Sequence, residues 1–436
     1  MEAETEASPI IILIFDATLE FLFMISIATS FLIDRLVCDM YLFKFNHRHW
    51  DAIRNYPYAG LDFLLDENYK LVFLEANAVS GGIYVMEKAF ELILDSAPNF
   101  RLYVEETDFV RLFVDASLTF YRMLREGYPK KVLITTPLSG APLLMPERFS
   151  IAQEFRRRGI YAVIANRNNF FVLNGKIAVR LGSRYFYPDL IIRRNTSFPK
   201  NITQPIINSS EVGQITGSKF RTYRVVRDFI KNHKKAPFKL PETYFAKNVD
   251  DAISISEDML SRGKEVVVKP NKGEKGQDII FIRSASDAET KLKRAFGSKR
   301  ITLVVQEKID ILTFPRESNR YAFDIRTYAY LGRFVGAHIR RAGIPMGQGL
   351  VEEYGVSNVS RGGLYVPILL VPDGPRILKW GDHIRQIYLF KSIKIDNYAF
   401  GFDSSLWKKL REATELVVLA IGYALMGFSD NAKTRQ

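Results

Sequence analysis

The sequence predicts an α/β chain in which a parallel, Rossmann-like unit is flanked by the parts of a second, β-rich unit. Two observations predict it. From Lys130 the order is buried strand (KKVLITT), loop (TPLSGAP), helix (PERFSIAQEFRRRG, ending at Gly159) and second strand (IYAVIA), which is the grammar of a parallel sheet. Polar strand fragments lie on either side of it. Asp62-x12-Glu75-x-Asn77 comes before, and VVVKPNKGEKGQDIIFI (266–282), LVVQEKID (303–310), YAFDIRTYAYLGRFVGAHIRRAG (321–343) and NVSRGG (358–363) come after.

The elements follow in order. Residues 9–33 are apolar and long enough to span a bilayer. Asp16 and Glu20 each cost roughly 2.5–3.5 kcal/mol near a membrane centre, and their spacing puts both on one helical face. A buried helix with one wet edge is therefore preferred to a membrane anchor. The segment has no basic leader and no small-residue cleavage site, so a signal peptide is not expected. Residues 61–65 and 70–75 run apolar around a polar DENY turn and predict a hairpin. Residues 84–95 have the period of an amphipathic helix. After the β-loop-α-β stretch, DLIIRRN (189–195) continues the parallel sheet. GxGxxG is absent, so nothing supports a dinucleotide site.

From Ser218 the chain reads as helix (SKFRTYRVVRDFIKNH), a linker or extended passage (KAPFKLPET), helix (DDAISISEDMLSRG) and strand (EVVVKP). Strands follow at 278–282, 301–306, 321–330 and 334–340, and a helix at 406–427. There is no internal repeat. The expected domains are an N-terminal apolar helical segment (1–45), a β-rich metal segment (46–100), the Rossmann-like unit (101–215) and a nucleotide-binding unit (216–436).

Composition narrows the chemistry. The chain has 436 residues, 47% apolar and 25% charged, enough for two or three domains with large cores. Its single cysteine, Cys38, excludes an intramolecular disulfide and any cysteine-rich metal cage, and fits a cytoplasmic setting. Five scattered histidines give no zinc pattern. The net charge of +13 invites a nucleic-acid reading, but the basic residues come in short dispersed groups without a basic tail or an RNP-like motif. An acidic or phosphate-rich substrate accounts for the charge as well.

Lys269 ends a β-branched strand, and Pro270 stops a helix from forming there. Gly273 and Gly276 follow in a short polar loop, where backbone N–H groups can close over phosphate oxygens. LVVQEKI ends in the polar pair Gln306 and Glu307, suited to an adenine amino group beside an apolar slot. Then come Asp324-x-Arg326, the arginine pair containing Arg340, and Asn358 and Arg361 in a Gly-rich turn. Glu75 and Asn77, one residue apart, share a strand face, and Asp62 on the hairpin partner can oppose them. Oxygen-only ligands suit Mg²⁺ or Mn²⁺.

In this order the fragments resemble the ATP-grasp superfamily, and the early position of Glu75-x-Asn77 is similar to its circularly permuted group, which includes relatives of glutathionylspermidine synthetase. The resemblance covers roughly residues 58–430. It implies a Rossmann-like pre-ATP-grasp domain followed by a two-lobed ATP-grasp domain. It implies Lys219 and Lys269 as nucleotide lysines, with Gly273, Gly276, Gln306 and Glu307 around ATP. It implies Asp62, Glu75 and Asn77 as metal ligands, and Arg340, Asn358 and Arg326 around the transferred phosphoryl group. Arg193, Arg194 and Arg361 are candidates for substrate contacts, with a surface salt bridge as the alternative for the first two. The chain departs from the group in the turn after Asn77, which reads Ala-Val-Ser-Gly-Gly without an arginine. The reaction implied is ATP-dependent joining of a small-molecule or peptide carboxylate to an amine or thiol. A kinase on the same fold and a non-catalytic nucleotide- or nucleic-acid-binding protein stand as alternatives.

Overall fold

The computed structural model describes residues 47–96, 108–136, 145–194, 198–199, 201–231, 236–273, 278–316, 318–347, 363–372, 374–381, 383–388 and 392–433. The apolar segment 9–33, Gly276, Asn358 and Arg361 lie outside them.

A central sheet of eight strands organises the chain. Its order is Phe238–Lys239, Leu71–Asn77, Tyr58–Leu65, Phe323–Tyr330, Arg333–Arg341, Leu364–Val366, Ser392–Ile395 and Arg385–Tyr388. The early hairpin therefore sits beside the late Asp-x-Arg strand. Tyr58–Leu65 pairs antiparallel with Phe323–Tyr330, with Asp62 opposite Arg326. Alternation along these strands sorts side chains by chemistry. Leu61, Phe63, Ile325, Ala329, Ala337 and Ile339 enter one core with the helix Ser404–Lys433. The opposite face carries Asp62, Asp324, Arg326, His338 and Arg340 at one end, and Tyr328 and Tyr330 at the other.

One irregularity aims the hairpin. Asp62 pairs with Glu75, but Phe63 pairs with Phe73, so Leu74 is an extra residue. Without this bulge Phe73 and Glu75 would share a face. With it Phe73 stays in the core and Glu75 turns toward Asp62.

Among the described residues five smaller sheets accompany the central one, three of which bear on the site and its neighbours. Thr243–Ala246, Leu303–Glu307, Val266–Pro270 and Ile280–Ile282 form a four-stranded sheet covered by the helices Val249–Ser261 and Ala285–Phe296. Tyr161–Asn166, Lys131–Thr136, Leu190–Ile192 and Ile206–Ile207 form an all-parallel sheet, as the β-loop-α-β grammar requires. Helices Ile83–Ser96 and Phe109–Leu124 fill the core shared by this parallel sheet and the aromatic end of the central one. Between Tyr161–Asn166 and Leu190–Ile192 stands an antiparallel three-stranded sheet, Phe170–Leu173, Lys176–Leu181 and Arg184–Phe186.

Of the two forms expected for KAPFKLPET, the extended one holds for Phe238–Lys239, which pairs in parallel with Leu71–Val72 and borders the central sheet. Helix Ala285–Phe296 follows Ser284, whose side chain accepts from Asp287 N as an N-cap. No helix among the described residues is long and apolar enough to cross a membrane.

The helices His47–Asn55 and Ser404–Lys433 bring the two ends of the described chain together. Tyr423 Oη lies 2.9 Å from His49 Nδ1. A Cβ added at Gly422 would fall 2.3 Å from the Ala52 carbonyl oxygen, which is backbone and cannot rotate away. Gly422→Ala is expected to cost about 1–3 kcal/mol by forcing the helices apart. A lowered thermal midpoint against wild type checks this.

Candidate active site

Asp62 is the centre of the polar face. It is fully buried, between the Leu71–Asn77 and Phe323–Tyr330 strands. Arg326 grips it with two nitrogens, Nε on Oδ1 and Nη2 on Oδ2 at 2.7 Å. Arg340 Nη2 adds a contact to Oδ2 at 3.0 Å, and its Nε binds Asp324 Oδ1 at 2.6 Å. Burial works to raise the Asp62 carboxyl, but Arg326 and Arg340 overcome it and hold the group well below the usual carboxylate range. Glu75 moves the other way. Burial raises it first and the Asp62 charge raises it further, while Lys219 opposes.

Lys219 and Lys269 approach from the four-stranded sheet and the helix beside it. Lys269 is buried, with Nζ 2.8 Å from Gln306 Oε1, and Gln306 Nε2 binds Thr243 Oγ1 at 2.8 Å. Burial, then repulsion from Lys219, pushes Lys269 down to about 8, against the pull of Glu75. Lys219 Nζ donates to the Gly273 carbonyl at 2.7 Å. Glu307 does not join this group. Its carboxylate accepts from Glu242 N at 3.2 Å and meets Lys264 at 3.4 Å.

Residues without a motif complete the arrangement. Asn271 ties the two lysine-bearing elements together: its carbonyl accepts from Lys219 N at 3.0 Å and its Oδ1 from Phe220 N at 3.1 Å. Tyr223 Oη donates to the Phe73 and Leu74 carbonyls at 2.7 and 2.9 Å, anchoring the bulge before Glu75. Ser80 Oγ accepts from Arg326 Nη1 at 2.9 Å. These contacts join residues far apart in sequence, and no spacing rule anticipates them.

Arg194 and Arg193 are bolts of the fold in this structure. Arg194 pairs with Glu147, and each side chain is only 3% exposed, so the alternative of a surface salt bridge is corrected. Arg194 Nη1 also donates to the Ser80 carbonyl, and Glu147 Oε2 accepts from Gly82 N at 2.7 Å. Arg193 Nε donates to the Asn208 carbonyl. The Ser80–Gly82 turn is thereby fastened to the parallel sheet on one side and to Arg326 on the other.

The residues present fit a divalent cation. Asp62, Glu75 and Asn77 supply oxygen donors, and Asn77 Nδ2 already lies 3.4 Å from Asp62 Oδ2. Two carboxylates pressed together in a buried place repel, as the raised Glu75 records, and a cation would relieve that. An ionised carboxylate has about four lone-pair sites, and Arg326, Arg340 and Asn77 Nδ2 already meet Asp62 with four nitrogens, so a cation would have to displace at least one of them, the 3.4 Å Asn77 contact first. No group of three His, Cys, Asp or Glu side chains that could hold a metal occurs among the described residues. Asn77 and a ligand's own oxygens would have to complete the coordination.

No protein-family model matches the chain, and no curated protein matches it by sequence. Solved structures do match. A provisionally assigned gamma-glutamylcysteine synthetase from Methylobacillus flagellatus aligns at a TM-score of 0.52 and 14% identity, over 87% of this chain and 93% of its own. A RimK domain ATP-grasp protein from Sphaerobacter thermophilus aligns at 0.32 and 12%, over 66% of this chain and 98% of its own. D-alanyl-alanine synthetase A from Vibrio cholerae aligns at 0.34 and 8%, over 45% and 66%. At these identities the likeness to the first of these is one of fold alone.

Removing one partner of the Glu147–Arg194 pair leaves a charge sealed from water. Glu147→Ala is expected to cost about 3–5 kcal/mol. Chemical denaturation read by tryptophan fluorescence checks it, and the double variant Glu147→Ala, Arg194→Met is expected to recover part of the loss.

Proposed function

We propose that this chain is an ATP-grasp enzyme, an ATP-dependent ligase that joins a carboxylate to an amine (or thiol) through an acyl phosphate. The observation that carries the reading is the convergence of Asp62, Glu75 and Asn77 on Arg326 and Arg340, with Lys219 and Lys269 near Glu75. Anion grip, cation site and a phosphoryl-stabilising arginine are what ATP-driven carboxylate activation needs.

The chain is read as circularly permuted. The Glu75-x-Asn77 strand precedes the Rossmann-like unit in sequence, yet its hairpin neighbours Phe323–Tyr330 in space. The helix Ser404–Lys433 ends against His47–Asn55, which leads into the hairpin. An unpermuted chain would run from the one directly into the other.

Each residue has a task in this reaction. Lys219 and Lys269 hold the α- and β-phosphates, and Gln306 positions Lys269 while facing adenine. Glu307 supplies hinge backbone rather than a free carboxylate. Asp62, Glu75 and Asn77 would hold Mg²⁺ or Mn²⁺, which supplies charge neutralisation on the β- and γ-phosphates. Arg340 would meet the transferring phosphoryl group, and Arg326 keeps Asp62 ionised and oriented. Gly273 would lie in the phosphate cover, and the expected roles of Gly276 in that cover, of Asn358 in catalysis and of Arg361 toward the substrate fall outside the described residues. The carboxylate oxygen attacks the γ-phosphorus, ADP leaves, and the amine then displaces phosphate from the acyl carbon. Positioning and electrostatics carry most of the rate.

ATP turnover with Mg²⁺, screened against pooled amino acids, polyamines and peptides, tests the reading. Substrate-dependent ADP release is expected to fall at least about 100-fold in Glu75→Ala. A stable phosphate ester instead of an amide would make the enzyme a kinase, and failure to bind Mg·ATP would remove the reading.

Lys269 also makes nucleotide affinity depend on pH. It must be protonated to hold phosphate, and its place near 8 means the charge is lost as pH rises from 7 to 9. Mg·ATP affinity is expected to weaken up to about tenfold per unit above that point. Lys269→Arg, permanently charged, should flatten the profile in a fluorescence or calorimetric titration.

A further inference from the structure

The antiparallel sheet of Phe170–Leu173, Lys176–Leu181 and Arg184–Phe186 has one face buried and one face open. On the inner face Phe170, Ile177, Val179 and Phe186 close a core with Leu133, Val163 and Ile191 of the parallel sheet. Alternation puts their neighbours on the outer face. There Phe171 stands opposite Ala178, Leu173 opposite Lys176, and Tyr185 opposite Arg180. Phe171 is 41% exposed, Leu173 40%, Tyr185 53%, and Tyr187, just past the last strand, 41%. The Phe171 and Tyr185 rings meet edge to face with centroids 6.2 Å apart. A cluster of exposed rings edged by polar groups marks an interaction surface.

The charge around these rings has one sign. Residues 155–188 contain seven Lys or Arg and no Asp or Glu. Arg156 donates to the Ala162 carbonyl at 2.7 Å, Arg157 pairs with Glu154, and Arg158 pairs with Glu154 and Asp115. Asp189, the next acid along the chain, accepts from Lys130 N and Lys131 N. Arg167, Lys176, Arg180 and Arg184 have no carboxylate partner among the described residues. These four are dispersed in sequence, and the meander gathers them around one group of rings.

We propose that this outer face binds single-stranded RNA, with bases stacked on Phe171, Tyr185 and Tyr187 and phosphates met by Lys176, Arg180 and Arg184. The surface stands apart from the ligase reading. Unpaired cations call for a polyanion, and exposed rings call for π faces that are free to stack. A duplex keeps its bases in its own stack, so it would use the cations and leave the rings idle. A second copy docking through the same face would set these cations against their own counterparts, with no acid to answer them. A bilayer would have to take up Lys176 and Arg180 together with the rings, because they alternate on one face. The Tyr185 and Tyr187 hydroxyls make no hydrogen bond among the described residues. They can meet the 2′-hydroxyl, which DNA lacks.

Fluorescence anisotropy on the full chain tests this, with a labelled oligouridylate of about 12 nucleotides as the probe. Affinity is expected to fall about 100-fold per decade of added salt, as three phosphate contacts on a single strand require. Any cationic protein holds RNA at low salt, so the deciding variants leave the charge alone. Phe171→Ala and Tyr185→Ala are each expected to weaken binding at least about fivefold, with the thermal midpoint unmoved. Oligodeoxyuridylate is expected to bind about threefold more weakly than the RNA, and Tyr185→Phe, which keeps the ring, to narrow that gap while retaining most of the RNA affinity. Binding that falls in Arg180→Glu but in neither ring variant overturns the platform, as does duplex RNA held as tightly as the single strand. Equal affinity for the DNA overturns the choice of RNA. Absence of RNA binding, with phosphatidylserine vesicles captured or a dimer formed through Tyr185 instead, overturns the proposal outright.

Discussion

The Asp62 carboxylate, sealed from water and held by Arg326 and Arg340, is the interaction around which the rest is arranged. Burying one carboxylate unaided is costly, and burying two guanidiniums more so. Each is tolerable here because the others are fixed by strand register. Asp62 is opposite Glu75 on one side and Arg326 on the other, and Asp324 is opposite Arg340. A slip of one residue in any of these strands would send the charges into the apolar core with the Ser404–Lys433 helix. The same face is thus both the least forgiving place in the fold and the place where chemistry is proposed.

From that network, order spreads outward through Ser80. Its hydroxyl meets Arg326 and its carbonyl meets Arg194, which is paired with Glu147 at the start of a helix of the Rossmann-like unit. Tyr58 Oη donates to the same carbonyl. A displacement of the turn therefore pulls on Arg326 and on the parallel sheet together.

What could be read from the sequence were features with a local period. The β-loop-α-β stretch, the hairpin and the alternating DIRTYAY and FVGAHIRR strands each carry their pattern within a few residues. Asp62 and Glu75 could be matched because hairpin partners lie close in sequence. The three-stranded sheet at 170–186 had a signal that passed unused: Asn174 and Gly175, both at positive φ, turn between the apolar runs FFVL and KIAV. Asn271, Tyr223 and Ser80 had no such signal. Each acts through partners that only the finished fold supplies.

The pairing of Asp62 with Arg326 also sets a schedule for making the molecule. The two residues are 264 positions apart, so at ordinary synthesis rates the hairpin waits on the order of tens of seconds for its neighbouring strand. During that interval Tyr58–Leu65 presents an unpaired edge with a buried acid and large apolar residues, the kind of edge that invites association with other chains. The Rossmann-like unit, complete in sequence long before residue 323, can fold in the meantime, and Glu147 and Arg194 can already hold the Ser80–Gly82 turn. Placing the hairpin so far ahead of its neighbouring strand thus makes assembly of the finished sheet strongly non-local and slow.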